Sequence, residues 1–217
     1  MTMDTIKSNL RAYYNEEAAI RDTSPKQVWK IEVREQFYRL AKCENKNTLL
    51  ELGAGAGYDS QFFLDSGMKV TAIDLSREMI ELCKQKSIEA YEMDFYDLSR
   101  LGKSFDCIWS MNSLLHVPKT DLPQILQGID SILGCGGLFY MGVYGGVDSE
   151  DYYVNDRSAV PRFFSHYTDE KLKELLSHYF EIISFKRYDL TSGARNFFKQ
   201  HKRGAIDFQS AILRKKI

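Results

Sequence analysis

Glu51-Leu52-Gly53-Ala54-Gly55-Ala56-Gly57, followed by Asp74 about 20 residues past the first glycine, is where this chain carries residues suited to chemistry on a bound ligand. Glycines at alternate positions let the backbone turn tightly and come close to a ligand. An acid at the end of the next apolar run can accept hydrogen bonds from both hydroxyls of a ribose. The pattern therefore suits a nucleoside-bearing cofactor. A glycine triplet alone is weak; a strand, the triplet, a helix, a second strand and a terminal acid in one unit are far more selective. An NAD(P) fingerprint wants glycine where Tyr58 stands, which counts against hydride transfer.

The surrounding elements must hold these residues. Asp4 to Ile20 predicts a polar helix with Ile6, Leu10 and Tyr13/Tyr14 on its apolar side. Ser24-Pro25 predicts a helix start, serine as N-cap and proline in the first turn, running to about Lys42. Leu49 to Leu52 and Lys69 to Asp74 read as strands around a helix from Tyr58 to Asp65. Ser76 caps a helix with Met79, Ile80, Leu82 and Cys83 inward. Further strands are expected at Ile88–Met93, Phe105–Trp109 and Leu138–Val143, with Ser110 to Val117 as a loop or short turn. A helix falls between Pro118 and Leu133, ended by Gly134, Gly136 and Gly137. A last helix starts at Thr168, and Phe180–Tyr188 and Ile206–Arg214 close the chain as an antiparallel pair. Alternation of strands and helices predicts an α/β fold: a Rossmann-like, seven-stranded, mostly parallel sheet with helices on both faces and an antiparallel C-terminal strand.

The bulk composition is ordinary. The 217 residues suffice for one domain with a full core and a small cap. A net charge of −1 gives no overall drive toward nucleic acid or an anionic membrane. No apolar run approaches the ~20 residues that span a bilayer. The first residues lack the basic start and apolar core of a signal peptide, so the cytosol is the expected location. Cys43, Cys83, Cys107 and Cys135 are widely spaced and read as reduced, and the four histidines are too dispersed for a metal site. Lys199-Gln200-His201-Lys202-Arg203 and the Arg214-Lys215-Lys216 tail read as a solvated loop and a solvated terminus.

Five segments in order resemble the class I S-adenosylmethionine-dependent methyltransferases, in their small-molecule, methyltransferase-11/25-like branch. They are Glu51–Gly57, Ala72-Ile73-Asp74-Leu75-Ser76 with Met79, Met93-Asp94-Phe95-Tyr96-Asp97-Leu98, Phe105 to Pro118, and Gly136-Gly137-Leu138-Phe139. Phe163-Phe164-Ser165-His166-Tyr167-Thr168 is also similar to small-molecule members. The resemblance implies one domain over 1–217: a helical cap (1–44), a cofactor-binding core (47–143), and a substrate-covering segment with the final strands (144–217). It implies S-adenosyl-L-methionine as cofactor, S-adenosyl-L-homocysteine as product, and a small-molecule acceptor. Nucleic acid and membrane are not expected partners, and a monomer or homodimer is.

By the same resemblance, Glu51, Gly53, Ala54, Gly55 and Tyr58 line the cofactor loop. Asp74 grips the ribose, Asp94 accepts from the adenine amino group with Asp97 as its alternative, and Leu75, Met79 and Phe95 pack the ring. Ser110 or Met111 contacts the amino-acid part. His116 is a general base if the acceptor arrives protonated, or else a packing histidine. Tyr13, Tyr14, Tyr144, Arg162 and Phe164 are expected to bind substrate. The aromatics would wall off an organic acceptor or else pack the cap onto the core, and Arg34 or Arg162 would meet a substrate or methionine carboxylate through a bidentate fork or else lie at the surface. A non-catalytic S-adenosylmethionine-binding module and an RNA or protein methyltransferase are the competing readings.

Overall fold

The computed structural model describes residues 2–155, 158–189 and 207–216. Seven strands form one sheet: β1 Thr48–Leu52, β2 Lys69–Asp74, β3 Glu89–Glu92, β4 Phe105–Met111, β5 Leu133–Gly145, β8 Phe180–Tyr188 and β9 Asp207–Lys215. Their order is β3-β2-β1-β4-β5-β9-β8. β9 runs antiparallel to both neighbours, and the pairs from β3 to β5 are parallel. Chain order reverses beside β1, which β2 and β4 flank; such a switch point opens a crevice at the strands' carboxyl ends.

Alternation along the strands feeds two cores. Leu50, Leu52, Ile73, Ile108 and Phe139 face α5 (Leu122–Ile132) and α6 (Asp169–Tyr179). Leu49, Ala72, Trp109 and Tyr140 face the other layer, with Val33 and Phe37 of α2 (Val28–Cys43), Phe63 of α3 (Tyr58–Asp65) and Ile80 of α4 (Arg77–Gln85). Trp109 stacks on Tyr140 with centroids 3.9 Å apart, a pairing worth about 0.5–1.5 kcal/mol beyond its buried area.

Three local expectations are corrected. α1 runs Met3–Thr23, and Ser24 closes it: the Ser24 amide and hydroxyl donate to the carbonyls of Arg21 and Ile20. The next helix starts only at Val28, with Gln27 as N-cap, so Ser24-Pro25 ends one helix rather than beginning another. Gly134, Gly136 and Gly137 do not end α5; they form the irregular start of β5, whose register against β4 shifts there, with Gly136 at φ +62°. Finally, the segment after β5 contains a hairpin that period reading missed, β6 Ser149–Asn155 paired with β7 Ser158–His166.

The hairpin packs on α1 through Phe163 against Ile6 and Leu10. The C-terminal cations are also less solvated than expected. Arg214 holds Glu44 at 2.7 and 2.8 Å, and Lys215 donates to the carbonyls of Asp130 and Leu133. The Lys199–Arg203 segment lies outside the described residues.

Candidate functional site

The switch point opens into a cavity of about 680 Å³, bounded below by the carboxyl ends of β1, β2 and β4 and above by α1 and β7. Gly53, Gly55 and Gly57 all take positive φ, at +70°, +54° and +80°. The amides of Gly53 and Ala54 both donate to the Ile73 carbonyl, hanging the loop on the end of β2. A side chain at Gly53 has no room, because its Cβ would stand 2.3 Å from Cβ of Ser113.

Asp74 is the keystone of this loop. Its Oδ2 accepts from the Gly55 amide and its Oδ1 from the Ser76 amide, both at 2.9 Å. Each oxygen keeps a lone pair for a further donor. Burial pushes this carboxyl up, and the backbone donors offset part of that rise.

An ionic cluster lies under the loop. Glu51 is 4 % exposed and accepts from the Ser60 hydroxyl. Burial, then the nearby Asp59, push its carboxyl up. Asp59, equally buried, pairs with Lys26, with Arg34 at 3.0 Å and with the Trp109 indole at 3.1 Å. Arg34 is thereby committed, which removes it from the carboxylate-binding role expected of it.

α1 crosses the opposite side and is tied down along its length. Lys7 pairs with Asp94 at 2.7 Å and sits over the Tyr96 ring. Asn15 accepts from the Ser76 hydroxyl at 2.6 Å, and the carbonyl of Asp22 accepts from the Tyr58 hydroxyl.

The half of the cavity toward β7 is aromatic and cationic. Nδ1 of His116 lies 2.7 Å from the Phe163 carbonyl, which can only accept, so Nδ1 carries the proton. Nε2 is then the acceptor, and the Tyr14 hydroxyl donates to it at 2.7 Å. Burial pushes His116 down to about 3, with Arg162 and Arg21 adding to the depression. Phe164 packs against its ring with centroids 4.7 Å apart. Lys30 donates to the Tyr144 hydroxyl at 3.4 Å, and burial lowers its ammonium to about 8.

Of the residues expected at a site, sixteen line this cavity: Glu51, Gly53, Ala54, Gly55, Tyr58, Asp74, Leu75, Met79, Asp94, Phe95, Met111, His116, Tyr14, Tyr144, Arg162 and Phe164. Ser110 and Tyr13 do not. Ser110 is fully buried in the sheet, its hydroxyl 2.7 Å from that of Ser113, which itself donates to the Leu52 carbonyl. Tyr13 is 1 % exposed and serves as the face on which Arg162 rests. Asp97 lies outside the cavity and pairs loosely with Arg100 at 3.5 Å, whereas Asp94 lines it.

Lys26, Lys30 and Asn112 line the cavity and were missed by sequence reasoning. For Lys30 a signal existed, since it shares a helical stripe with Val33, Phe37 and Ala41, all buried. Asn112 turns the chain out of β4 at φ +57°, and its Oδ1 is buried without a hydrogen-bond partner among the described residues. Nothing in its sequence neighbourhood distinguishes it from Ser110 or Met111.

Comparison with known proteins bears on the same region. A family model described as a methyltransferase domain matches residues 49–137. The ubiquinone biosynthesis O-methyltransferase of Xanthomonas axonopodis pv. citri (strain 306) is 32% identical over 100 residues, which cover 43% of this chain and 41% of that protein. The cypemycin N-terminal methyltransferase of a Streptomyces species is 30% identical over 100 residues, 43% of this chain and 40% of its own. The matched stretch thus spans about two fifths of these curated relatives. Among solved structures, the Burkholderia thailandensis 1,6-didemethyltoxoflavin-N1-methyltransferase, bound to 1,6-didemethyltoxoflavin and S-adenosylhomocysteine, superposes with a TM-score of 0.71 at 21% identity. It covers 100% of this chain and 92% of its own, a likeness of fold.

Proposed function

We propose that the protein transfers a methyl group from S-adenosyl-L-methionine to a small organic acceptor, a reading supported by the match of residues 49–137 to a methyltransferase domain and by the fold shared with a solved methyltransferase. One observation carries the reading. Asp74, locked between the glycine loop and the start of α4, opens onto a cavity that continues to an aromatic and cationic wall. The donor half and the acceptor half are thus one space.

The residues present fit S-adenosylmethionine. Asp74 has spare acceptor capacity for the ribose hydroxyls, and the glycines leave room for close backbone approach. Leu75, Met79 and Phe95 supply apolar surface for an adenine. Glu51 would meet the ammonium group. Asp94 would accept from the adenine amino group once Lys7 yields its place. Met111 and Asn112 stand where the amino-acid part would lie, and the orphaned Oδ1 of Asn112 suits a donor there.

When bound, S-adenosylmethionine supplies a methyl group on a positively charged sulfur, already activated for in-line displacement. The chain's task is chiefly alignment. Tyr14, Tyr144 and Phe164 would hold the acceptor and exclude water. A base is needed only for a protonated acceptor. His116 is neutral at physiological pH, but the Tyr14 hydroxyl occupies its Nε2. An acceptor proton would reach His116 by displacing that hydroxyl or passing through it. Among the described residues no helix is long and apolar enough to cross a membrane. The four free cysteines agree with the reducing cytosol proposed here.

Calorimetric titration with S-adenosylmethionine, S-adenosylhomocysteine and, as control, NADH tests the reading. Micromolar binding of the first two and none of NADH is expected. Binding without turnover on any acceptor would favour a non-catalytic module, and no binding would end the proposal.

His116 also predicts a pH dependence. Unfolding exposes an imidazole that titrates near 6.5, whereas the folded one titrates at about 3. Between those values the unfolded chain takes up a proton that the folded chain excludes, so stability falls as pH drops through the window. At pH 5.5 this group is expected to cost about 1.4 kcal/mol relative to neutral pH. Urea denaturation of the wild type and His116→Gln at pH 7.5 and 5.5 measures it. Equal losses in both proteins would discard the assignment.

A further inference from the structure

Arg162 is 3 % exposed, and its Nε and Nη2 find no hydrogen-bond partner among the described residues. It lines the cavity from the middle of β7. Its surroundings are rings: Tyr13 at 4.1 Å, Phe164 at 5.1 Å and Tyr153 at 5.8 Å from the guanidinium carbon. Aromatic faces attract a cation but accept no in-plane N–H bond. A buried cation without acceptors is costly, and buried charges are ordinarily paired.

The cavity's charges are segregated in a way that sharpens the point. All four lining carboxylates, Glu51, Asp59, Asp74 and Asp94, stand at the ends of β1 and β2, at the start of α3 and just past β3. Asp59 is answered by Lys26 and Asp94 by Lys7. The wall near His116 carries positive charge instead. Arg162 and Arg21 both lower its affinity for protons, and no carboxylate lines the cavity from α1 or β7 among the described residues.

We propose, resting on the methyl-transfer reading above, that the acceptor is an oxyanion with an apolar body, and that Arg162 is the residue that binds its charged group. A guanidinium fork matches two coplanar oxygens bidentately, which a carboxylate presents in full and a phosphonate in part. Tyr13 and Phe164 hold the fork in place, and Phe164, Tyr14 and Tyr144 receive the apolar body. Arg162 thereby sets which acceptors enter, and the methyl-accepting atom lies elsewhere on the molecule, toward the glycine loop.

The test uses the full chain loaded with S-adenosylhomocysteine, titrated with benzoate, phenylphosphonate and the neutral isostere benzamide. At least one anion is expected to bind at least about tenfold tighter than benzamide, and the stronger of the two identifies carboxylate or phosphonate. Arg162→Gln is expected to erase that preference, with S-adenosylhomocysteine affinity within about twofold of wild type. Arg162→Lys, which keeps the charge and loses the fork, should retain part of it; thermal melts establish that each variant is folded. If neither anion outbinds benzamide on the wild type, the proposal is wrong. If Arg162→Gln instead weakens S-adenosylhomocysteine, the guanidinium serves the donor's carboxylate and the proposal also fails. Failure of S-adenosylhomocysteine to bind at all would strike the methyl-transfer reading itself, a separate outcome.

Discussion

Asp74→Ala is expected to weaken S-adenosylmethionine binding at least about tenfold, roughly 1.4 kcal/mol. The two carboxylate oxygens each hold one backbone amide and retain one lone pair, so a ribose diol would add two charge-assisted bonds. Such bonds are worth about 1.5–3 kcal/mol each, so a tenfold loss is a lower bound. The substitution also orphans the amides of Gly55 and Ser76, which loosens the loop itself. Asp74→Asn keeps one accepting oxygen and should fall between wild type and alanine. Calorimetry reads the affinity, and a thermal melt at the same concentration reads the folded fraction. A folded Asp74→Ala protein with unchanged affinity would remove Asp74 from the site.

Gly53→Ala is expected to do more damage to the fold than any other loop substitution. Alanine at φ +70° pays about 1–3 kcal/mol for the left-handed backbone alone. Its methyl would also lie 2.3 Å from Cβ of Ser113. Ser113 cannot retreat freely, because its hydroxyl is shared with Ser110 and donates to the Leu52 carbonyl. Overpacking of this kind costs about 1–3 kcal/mol more. A total near 4 kcal/mol, the middle of the combined range, implies a Tm drop of about 8–16 °C for a chain of this size.

Gly55→Ala supplies the contrast. No atom lies within 4 Å of a Cβ there, so only the backbone penalty at φ +54° applies. It should fold with a smaller Tm loss yet bind S-adenosylmethionine poorly, since its methyl enters the space the ligand would use. Similar melts for the two variants would mean that Ser113 yields more easily than its hydrogen bonds imply.

Local patterns carried far in this chain, and their limits are specific. The helix Tyr58–Asp65 was legible because a glycine before it and Ser66-Gly67 after it mark both ends within a few residues. Ser76 was legible as a cap for the same reason, and its hydroxyl accepts from the Met79 amide. Ser24-Pro25 misled because a serine hydroxyl serves either end of a helix, and which end depends on how far α1 runs. The β6–β7 hairpin was missed because its residues mix aromatic, charged and small types without alternation. Its partners are α1 and the turn Leu114–His116 rather than the main sheet.

By itself, the order of residues determined the donor half of the site. Gly53, Gly55, Asp74 and Asp94 fall on successive strand ends of one β-α-β-α-β run, so their convergence follows from short-range geometry and right-handed crossovers. The acceptor half was decided by the tertiary structure. Tyr14, Lys30, His116, Tyr144 and Arg162 come from five separate segments, and nothing local distinguishes an arginine that will be walled in by rings from one that will meet water. Burial is a property of what other segments cover, and for Arg162 it is the crossing of α1 over β7 that leaves Nε and Nη2 of the guanidinium without an acceptor among the described residues.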